Sequence, residues 1–348
     1  MNSKKIIYLF IILFLSFPLF ATQTKEPNSA VVFMYHRFGE TTYPSTNITI
    51  EQFQYQLDYL EDNNYSVLPL SKIINNLINK KHIPKKTVAL TIDDAYISTY
   101  TKAYPMLKDK NFPFTVLVST KPIDNRSKNY MTWDMMREMK KNGVEFANHS
   151  LSHDYLLQRA NESDSRWRQR VLPEIQKAQI RLQEELGPDT NENPRLFSYP
   201  FGEYDTKTIN LLEDLDYIGI TQTSAPIGEE SDFSALTRFP MAEAFATPDG
   251  FTTKLNTLPM PIDSISQKDP LLKEQNPPKL HIKLKNSLKN ITCYLSNGEK
   301  IKTKLISDTE IEVIANEQIK QKREKYTCTA PAKDGKWYWY SHLWILDK

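Results

Sequence analysis

Two adjacent aspartates, Asp93 and Asp94, and two histidines four residues apart, His149 and His153, are the residues of this sequence best suited to hydrolytic chemistry. Two imidazoles and one carboxylate make a catalytic site for a divalent cation and leave a coordination position for water. The second carboxylate is then available as a base. Candidates are few, because His36, His82, His149, His153, His281 and His342 are all the histidines of the chain. Its two cysteines, Cys293 and Cys328, are too few for a thiolate zinc site. A helical turn beginning at His149 would put His149 and His153 on one face. The stretch His149-Ser150-Leu151-Ser152-His153 lacks the glutamate of a metalloprotease helix, so peptide hydrolysis by that route is not supported.

The elements that must position these residues can be read from the runs before them. His36 follows the β-branched and aromatic run 31–35; Asp93 and Asp94 follow 88–92; His149 follows 144–148; Pro200-Phe201-Gly202 follows 196–199. Further strand-like runs cover 114–119 and 217–221. Amphipathic stretches lie between them. Thr49 and Gln52 have capping-box spacing ahead of Phe53, Leu57 and Leu60, and Ser71, Thr132 and Thr206 are further N-cap candidates. Alternating strands and helices argue for an α/β domain. In a β/α barrel the carboxyl ends of the strands share one rim, where all these side chains would meet.

A different texture begins after the proline-bearing stretch 259–278. Residues 279–285 alternate strictly, with Leu280, Ile282 and Leu284 on one face and charged residues with His281 on the other. The two-residue rhythm continues through Ile311, Val313, Tyr326 and Cys328, which indicates a small β-domain over 279–348. Tyr326, two residues before Cys328, has the spacing of an immunoglobulin-like tyrosine corner, with Cys293 as partner from the opposite sheet. Bridged, the two cysteines would stabilise the domain by about 3–4 kcal/mol; the other reading is two buried thiols. This region is basic and the rest of the chain is acidic. Its surface is read either as a contact for an anionic polymer or the envelope, or as an ordinary solvated face. His82 and His281 read as surface residues. Trp133 reads either as a sugar platform or as core, and so does the run Trp337-Tyr338-Trp339-Tyr340 with Trp344.

Lys4 and Lys5 precede an apolar run from residue 6 to residue 20, and Ala21 then offers a small residue before a polar stretch. Residues 1–21 read as a secretory signal, with an uncleaved membrane anchor as the alternative. The protein is accordingly expected outside the cytoplasm, in a periplasm or the extracellular space. The whole chain carries 44 Lys and Arg against 42 Asp and Glu. Without residues 1–21 its net charge is about zero, which argues against a nucleic-acid partner. Nothing in the sequence specifies an oligomer.

Thr91-Ile92-Asp93-Asp94-Ala95, then His149-Ser150-Leu151-Ser152-His153, then Ser198-Tyr199-Pro200-Phe201-Gly202 resemble three motifs of the NodB-type polysaccharide deacetylases, carbohydrate esterase family four. The resemblance spans about residues 30–240. It implies a distorted β/α barrel, here over 28–258, joined by a linker, 259–278, to the small immunoglobulin-like sandwich of 279–348. It also implies a polysaccharide N-deacetylase. Asp93 would be the catalytic base, Asp94, His149 and His153 the ligands of a divalent metal, usually zinc, and the backbone N–H of Phe201 the oxyanion donor. The Tyr35-His36 pair and Tyr199-Pro200-Phe201-Gly202-Glu203-Tyr204 are similar to exported poly-N-acetylglucosamine deacetylases.

Two departures from the family pattern bear on mechanism. The third motif usually opens with an arginine that orients the base, and here Ser198 stands there; Arg238, after the strand-like run 234–237, is the expected replacement. The family also supplies a late histidine as general acid, yet no histidine lies between His153 and His281. The resemblance of the Tyr35-His36 pair to the exported deacetylases makes His36 the expected acid; the other reading is a buried, hydrogen-bonded histidine at the bottom of the substrate groove. The substrate expected is an amino-sugar polysaccharide of the envelope or extracellular matrix. The alternatives are a peptidoglycan or chitin-type deacetylase and a non-catalytic glycan-binding envelope protein.

Overall fold

The structure, a computed structural model, describes residues 27–273 and 275–346. The expected signal segment, 1–21, lies outside the described residues. Among the described residues no helix is long and apolar enough to cross a membrane.

Six parallel strands carry the larger domain: β1 (Ser29–Tyr35), β2 (Thr87–Asp93), β3 (Thr115–Val118), β4 (Glu145–Asn148), β5 (Arg195–Ser198) and β6 (Tyr217–Ile220). They hydrogen-bond in that order, and the short strands Ile227–Gly228 and Phe239–Pro240 flank β1. The sheet curls, and the segment 236–240 spans its two sides, bonding through Leu236 to Ile220 of β6 and through Phe239–Pro240 to β1. The expected distorted barrel is therefore a curled sheet joined only through this short segment. Residues 234–237, expected as a strand, make only a single bridge from Leu236 to Ile220.

Alternation along the strands divides the core. Val31, Phe33, Tyr35, Val88, Leu90 and Ile92 pack outward against Phe53, Leu57 and Leu60 of the helix Ile50–Asp62. Ala30, Val32, Ala89, Leu117, Ala147, Leu196 and Ile220 meet inside, where Leu70, Ile73, Ile74 and Leu77 of the helix Leu70–Ile78 join them. Every strand of the six contributes to this inner face. Counting in steps of two from Ala89, Ala147 and Leu196 reaches Asp93, His149 and Ser198 at the carboxyl ends, so the same alternation that builds the core aims these three inward.

The helix starts are set by local hydrogen bonds. Thr49 and Gln52 form the expected capping box, and Thr132 caps Trp133–Lys141. Two expectations are corrected. Pro69 occupies the N-cap of Leu70–Ile78, while the Ser71 hydroxyl bonds to Glu145 on β4. Asp205, not Thr206, caps Thr206–Glu213, because its carboxylate accepts from the Thr208 amide at 2.7 Å.

The C-terminal region has two antiparallel-rich sheets around one core of Leu280, Ile282, Leu284, Ile311, Val313, Tyr326, Cys328 and Trp344. The stretch 259–278, expected as a linker, is itself built into both sheets. Ile262–Ile265 pairs with Lys279–Leu284, and Leu271–Leu272 pairs with the end of Trp337–Leu346. Thr257–Pro259 also joins Trp337–Leu346. The disulfide corrects a second expectation. Cys293 and Cys328 are bonded, but they face each other on neighbouring strands of the same sheet, Thr292–Tyr294 and Arg323–Pro331, with Cα atoms 4.0 Å apart. The bridge is therefore a cross-strand one and does not link the two sheets. Tyr326 is buried, donates to Pro278 O at 2.9 Å and accepts from the Ala315 amide at 3.0 Å. His82 and His281 are exposed, His342 and Trp344 are core residues, and Trp133 is buried with its indole N–H on Asp124.

Candidate active site

Asp93 is the last residue of β2 and is fully buried. Arg238 grips it with two hydrogen bonds, Nη1 to Oδ1 at 2.6 Å and Nη2 to Oδ2 at 2.8 Å. The remaining guanidinium N–H groups go to Thr91 Oγ1, Ser198 Oγ and Thr221 O, each at 3.0 Å. All five donors are thus used, as a charge buried this deeply requires. Burial by itself would raise the Asp93 carboxyl; the Arg238 charge and the nearby imidazoles more than offset it and hold the group below the ordinary carboxylate value. Ser198, at the position where the family motif carries arginine, is a hydrogen-bond acceptor for the arginine that comes from elsewhere.

Asp94 lies past the strand end at φ 70°, a left-handed turn that swings its carboxylate away from that of Asp93. Its Oδ1 is 3.4 Å from His149 Nε2 and 3.5 Å from His153 Nε2. The expected helical turn at His149 is absent. Ser150 and His153 adopt positive φ values of 70° and 59°, and an irregular loop brings the rings to 4.8 Å between centroids. Side chains hold that loop open. Asn148 Oδ1 accepts from the Ser150 amide, the Ser150 hydroxyl accepts from the His153 amide, and Glu174 accepts from both the amide and the hydroxyl of Ser152. With its backbone groups taken in this way, the segment has no need of helical bonds.

The cluster of Asp94, His149 and His153 offers three ligand atoms within 4.8 Å of one another. The His149 ring shows that it fits a cation. Its Nδ1 lies 2.8 Å from Ser198 O, and a carbonyl only accepts, so Nδ1 carries the proton. Nε2 is then a lone pair, and it is buried with no hydrogen-bond partner. A buried, unpartnered lone pair aimed at a carboxylate and a second imidazole is the donor set of a divalent metal. Burial would lower the His149 pKa, but Asp94 and Asp93 more than offset it, so the two carboxylates favour positive charge, proton or metal ion, at Nε2. Burial and then the neighbouring His149 bring His153 down to about 4, which keeps its ring a neutral ligand.

His36, just beyond β1, has Nε2 3.9 Å from Asp93 Oδ2, the same oxygen that His149 Nε2 approaches to 3.9 Å. Its pKa is lowered, chiefly by burial, against the pull of the two aspartates. Phe201 sits at φ 59°, ψ 5° in the turn Pro200–Gly202. Gly202 follows at φ 68°, where a Cβ would come within 2.7 Å of Gln222 Cβ. That turn accounts for one of only nine glycines. The Phe201 ring meets His153 edge-on at 4.5 Å and stacks on Tyr155 at 4.2 Å.

The structure thus brings together every expected site residue: His36, Asp93, Asp94, His149, His153, Phe201 and Arg238. Sequence reasoning missed Thr91, although its place two residues before Asp93 on the inner face was a usable signal. It also missed Tyr155, and it missed Glu203, Lys322 and Arg323, which meet behind Phe201 from distant segments.

A curled parallel sheet whose carboxyl ends carry a pinned carboxylate beside an Asp-His-His cation set defines a class of hydrolase. Residues 80–220 match the family model described as polysaccharide deacetylase, so the chain carries a polysaccharide deacetylase domain. It is 25% identical over 218 residues to Bacillus subtilis YxkH, whose name assigns it to the same family, covering 62% of this chain and 72% of that protein. It is 24% identical over 237 residues to the poly-beta-1,6-N-acetyl-D-glucosamine N-deacetylase of Escherichia coli K12, covering 57% of this chain but only 34% of that one. Among solved structures, the Streptococcus pyogenes deacetylase PplD in complex with acetate superposes with a TM-score of 0.57 at 25% identity, over 66% of this chain and 99% of that one.

Proposed function

We propose that this protein removes N-acetyl groups from an amino-sugar polysaccharide of the cell envelope or extracellular matrix, with β-1,6-linked poly-N-acetylglucosamine as the substrate. The observation that carries the reading is the pairing of Asp93, held ionised by Arg238, with the buried cation set of Asp94, His149 and His153. The substrate class is supported by the relatives whose names specify it. Zinc fits the two nitrogen donors and one oxygen donor, and a metal held there supplies Lewis-acid polarisation of the acetamide carbonyl and acidification of water.

The chain's own residues do the rest. Asp93 takes a proton from water as the water oxygen adds to the carbonyl carbon. The Phe201 amide hydrogen-bonds the oxyanion that forms. His36, beside Asp93, receives that proton and delivers it to the leaving nitrogen as the C–N bond breaks, so acetate and a free amine result. Residues 28–258 form the catalytic unit in this reading. The C-terminal region is an accessory immunoglobulin-like sandwich whose basic surface contacts the polymer or the envelope. The amino-terminal segment directs export to the periplasm or beyond.

The test is acetate release from β-1,6-linked N-acetylglucosamine oligomers, set beside chitin and peptidoglycan fragments, with and without a chelator. Chelator-sensitive release from the β-1,6 series, restored by zinc, is the expected result. Release from none of the polymers would overturn the enzyme reading, and release from chitin or peptidoglycan alone would overturn the substrate.

A further inference from the structure

The turn at Phe201 is gripped from the other domain. Arg323, on the strand Arg323–Pro331 of the β-domain, donates from Nη1 to Phe201 O at 2.7 Å, a contact between residues 122 apart in sequence. Its neighbour Lys322 lies 3.7 Å above the Tyr155 ring, which in turn stacks on Phe201. Between the two cations sits Glu203, only 1% exposed, with Lys322 Nζ 3.0 Å from Oε2 and Arg323 Nε 3.5 Å from Oε1. A buried carboxylate needs charged or hydrogen-bonding partners, and for Glu203 the cationic ones come from the β-domain.

The turn itself needs such support. Phe201 holds a left-handed conformation that costs a non-glycine residue on the order of 1 kcal/mol or more. The turn's own bonds run from the Gly202 amide to Tyr199 O and from the Glu203 amide to Pro200 O, so neither uses the Phe201 amide. The Phe201 carbonyl is instead fixed by Arg323, and its ring is held through Tyr155 by Lys322. The β-domain therefore holds the carbonyl directly, and it backs the ring through Tyr155 while His153 meets the ring edge-on.

We propose that Arg323 and Lys322 are positioning residues, through which the β-domain holds the Phe201 amide at the angle that the oxyanion requires. The inference rests on the reading of Phe201 as the oxyanion donor. It makes the second domain part of the catalytic apparatus in addition to any role in anchoring.

The test uses the full chain with Arg323→Ala and Arg323→Lys. In Arg323→Ala, kcat should fall on the order of ten- to a hundredfold with KM and bound zinc unchanged, as a displaced oxyanion donor requires. Arg323→Lys, which can still donate to the carbonyl, should recover most of it. In parallel, the amide resonances of Phe201 and Gly202 should move in Arg323→Ala and return in Arg323→Lys. Unmoved resonances, or a lowered melting temperature with kcat intact, would reduce Arg323 to a domain staple and overturn the proposal. A rise in KM alone would make it a substrate contact and overturn it too. The resonances decide the point even if the wild type releases no acetate, a result that would fall on the deacetylase reading instead.

Discussion

Asp93 and Asp94 are neighbours in sequence, yet the two sides of the rim they serve are built on opposite principles. The Asp93 side contains its own permanent cation, and every donor of Arg238 is satisfied by protein. On the Asp94 side there are a carboxylate and two imidazoles but no fixed cation, and a buried lone pair on His149 has no hydrogen-bond partner. One half of the site is electrostatically complete without any ligand. The other reaches completion only with a cation. Two consecutive residues of left-handed backbone, Asp94 and Ala95, end the strand here, so one carboxylate stays at the sheet and the other turns to the loop.

The comparison predicts that substitutions on the two sides fail in different ways. The largest effect belongs to the incomplete side. His149→Ala or Asp94→Ala should abolish zinc retention and reduce turnover to the level of the chelated enzyme, with metal analysis and acetate release as the paired measurements. A variant that keeps its zinc would break the comparison. Next in size, Asp93→Asn should lower kcat on the order of 10² to 10⁴ while zinc content stays that of the wild type. Zinc loss there would mean that Asp93 is a ligand and that the two sides are not separate.

How much of this was legible in the sequence follows from the range of the forces involved. The six strands and the inward aim of Asp93 and His149 come from local alternation, which a single chain displays directly. The approach of His149 to His153 does not, because the four-residue spacing suggests a helix, whereas Asn148, Ser150 and Glu174 take up the backbone groups and bend the loop. Arg238 was accessible only as a substitute for a missing arginine. Its proof is the exchange of roles with Ser198, a contact between residues forty apart. The cysteine pairing was legible and its placement was not, since the spacing of two cysteines does not say which strands pair. Lys322 and Arg323 gave no local signal at all, for their meaning depends on how two domains meet.

The remaining prediction tests whether the Asp93 side really is complete. Arg238→Met removes the charge but keeps an apolar stem of similar length, so burial is left as the dominant influence on Asp93. Burial raises a carboxyl pKa, and a base acts only when ionised. The acid limb of the kcat/KM profile should therefore move to higher pH, with zinc binding retained. Stability follows the same sign. In the wild type the depressed Asp93 pKa contributes stability that is present above the unfolded carboxylate value and is lost as pH falls through the folded one. Arg238→Met loses that contribution at neutral pH, and with it about 3–5 kcal/mol, the cost of stranding one member of a buried pair. Ser198→Ala should be much milder, about 1–3 kcal/mol from one unpaired buried N–H, and should leave the pH profile nearly in place because the bidentate grip on Asp93 survives. If Ser198→Ala shifted the profile as far as Arg238→Met, the charge of the guanidinium would not be what holds Asp93 ionised, and the hydrogen-bond network as a whole would have to be credited instead.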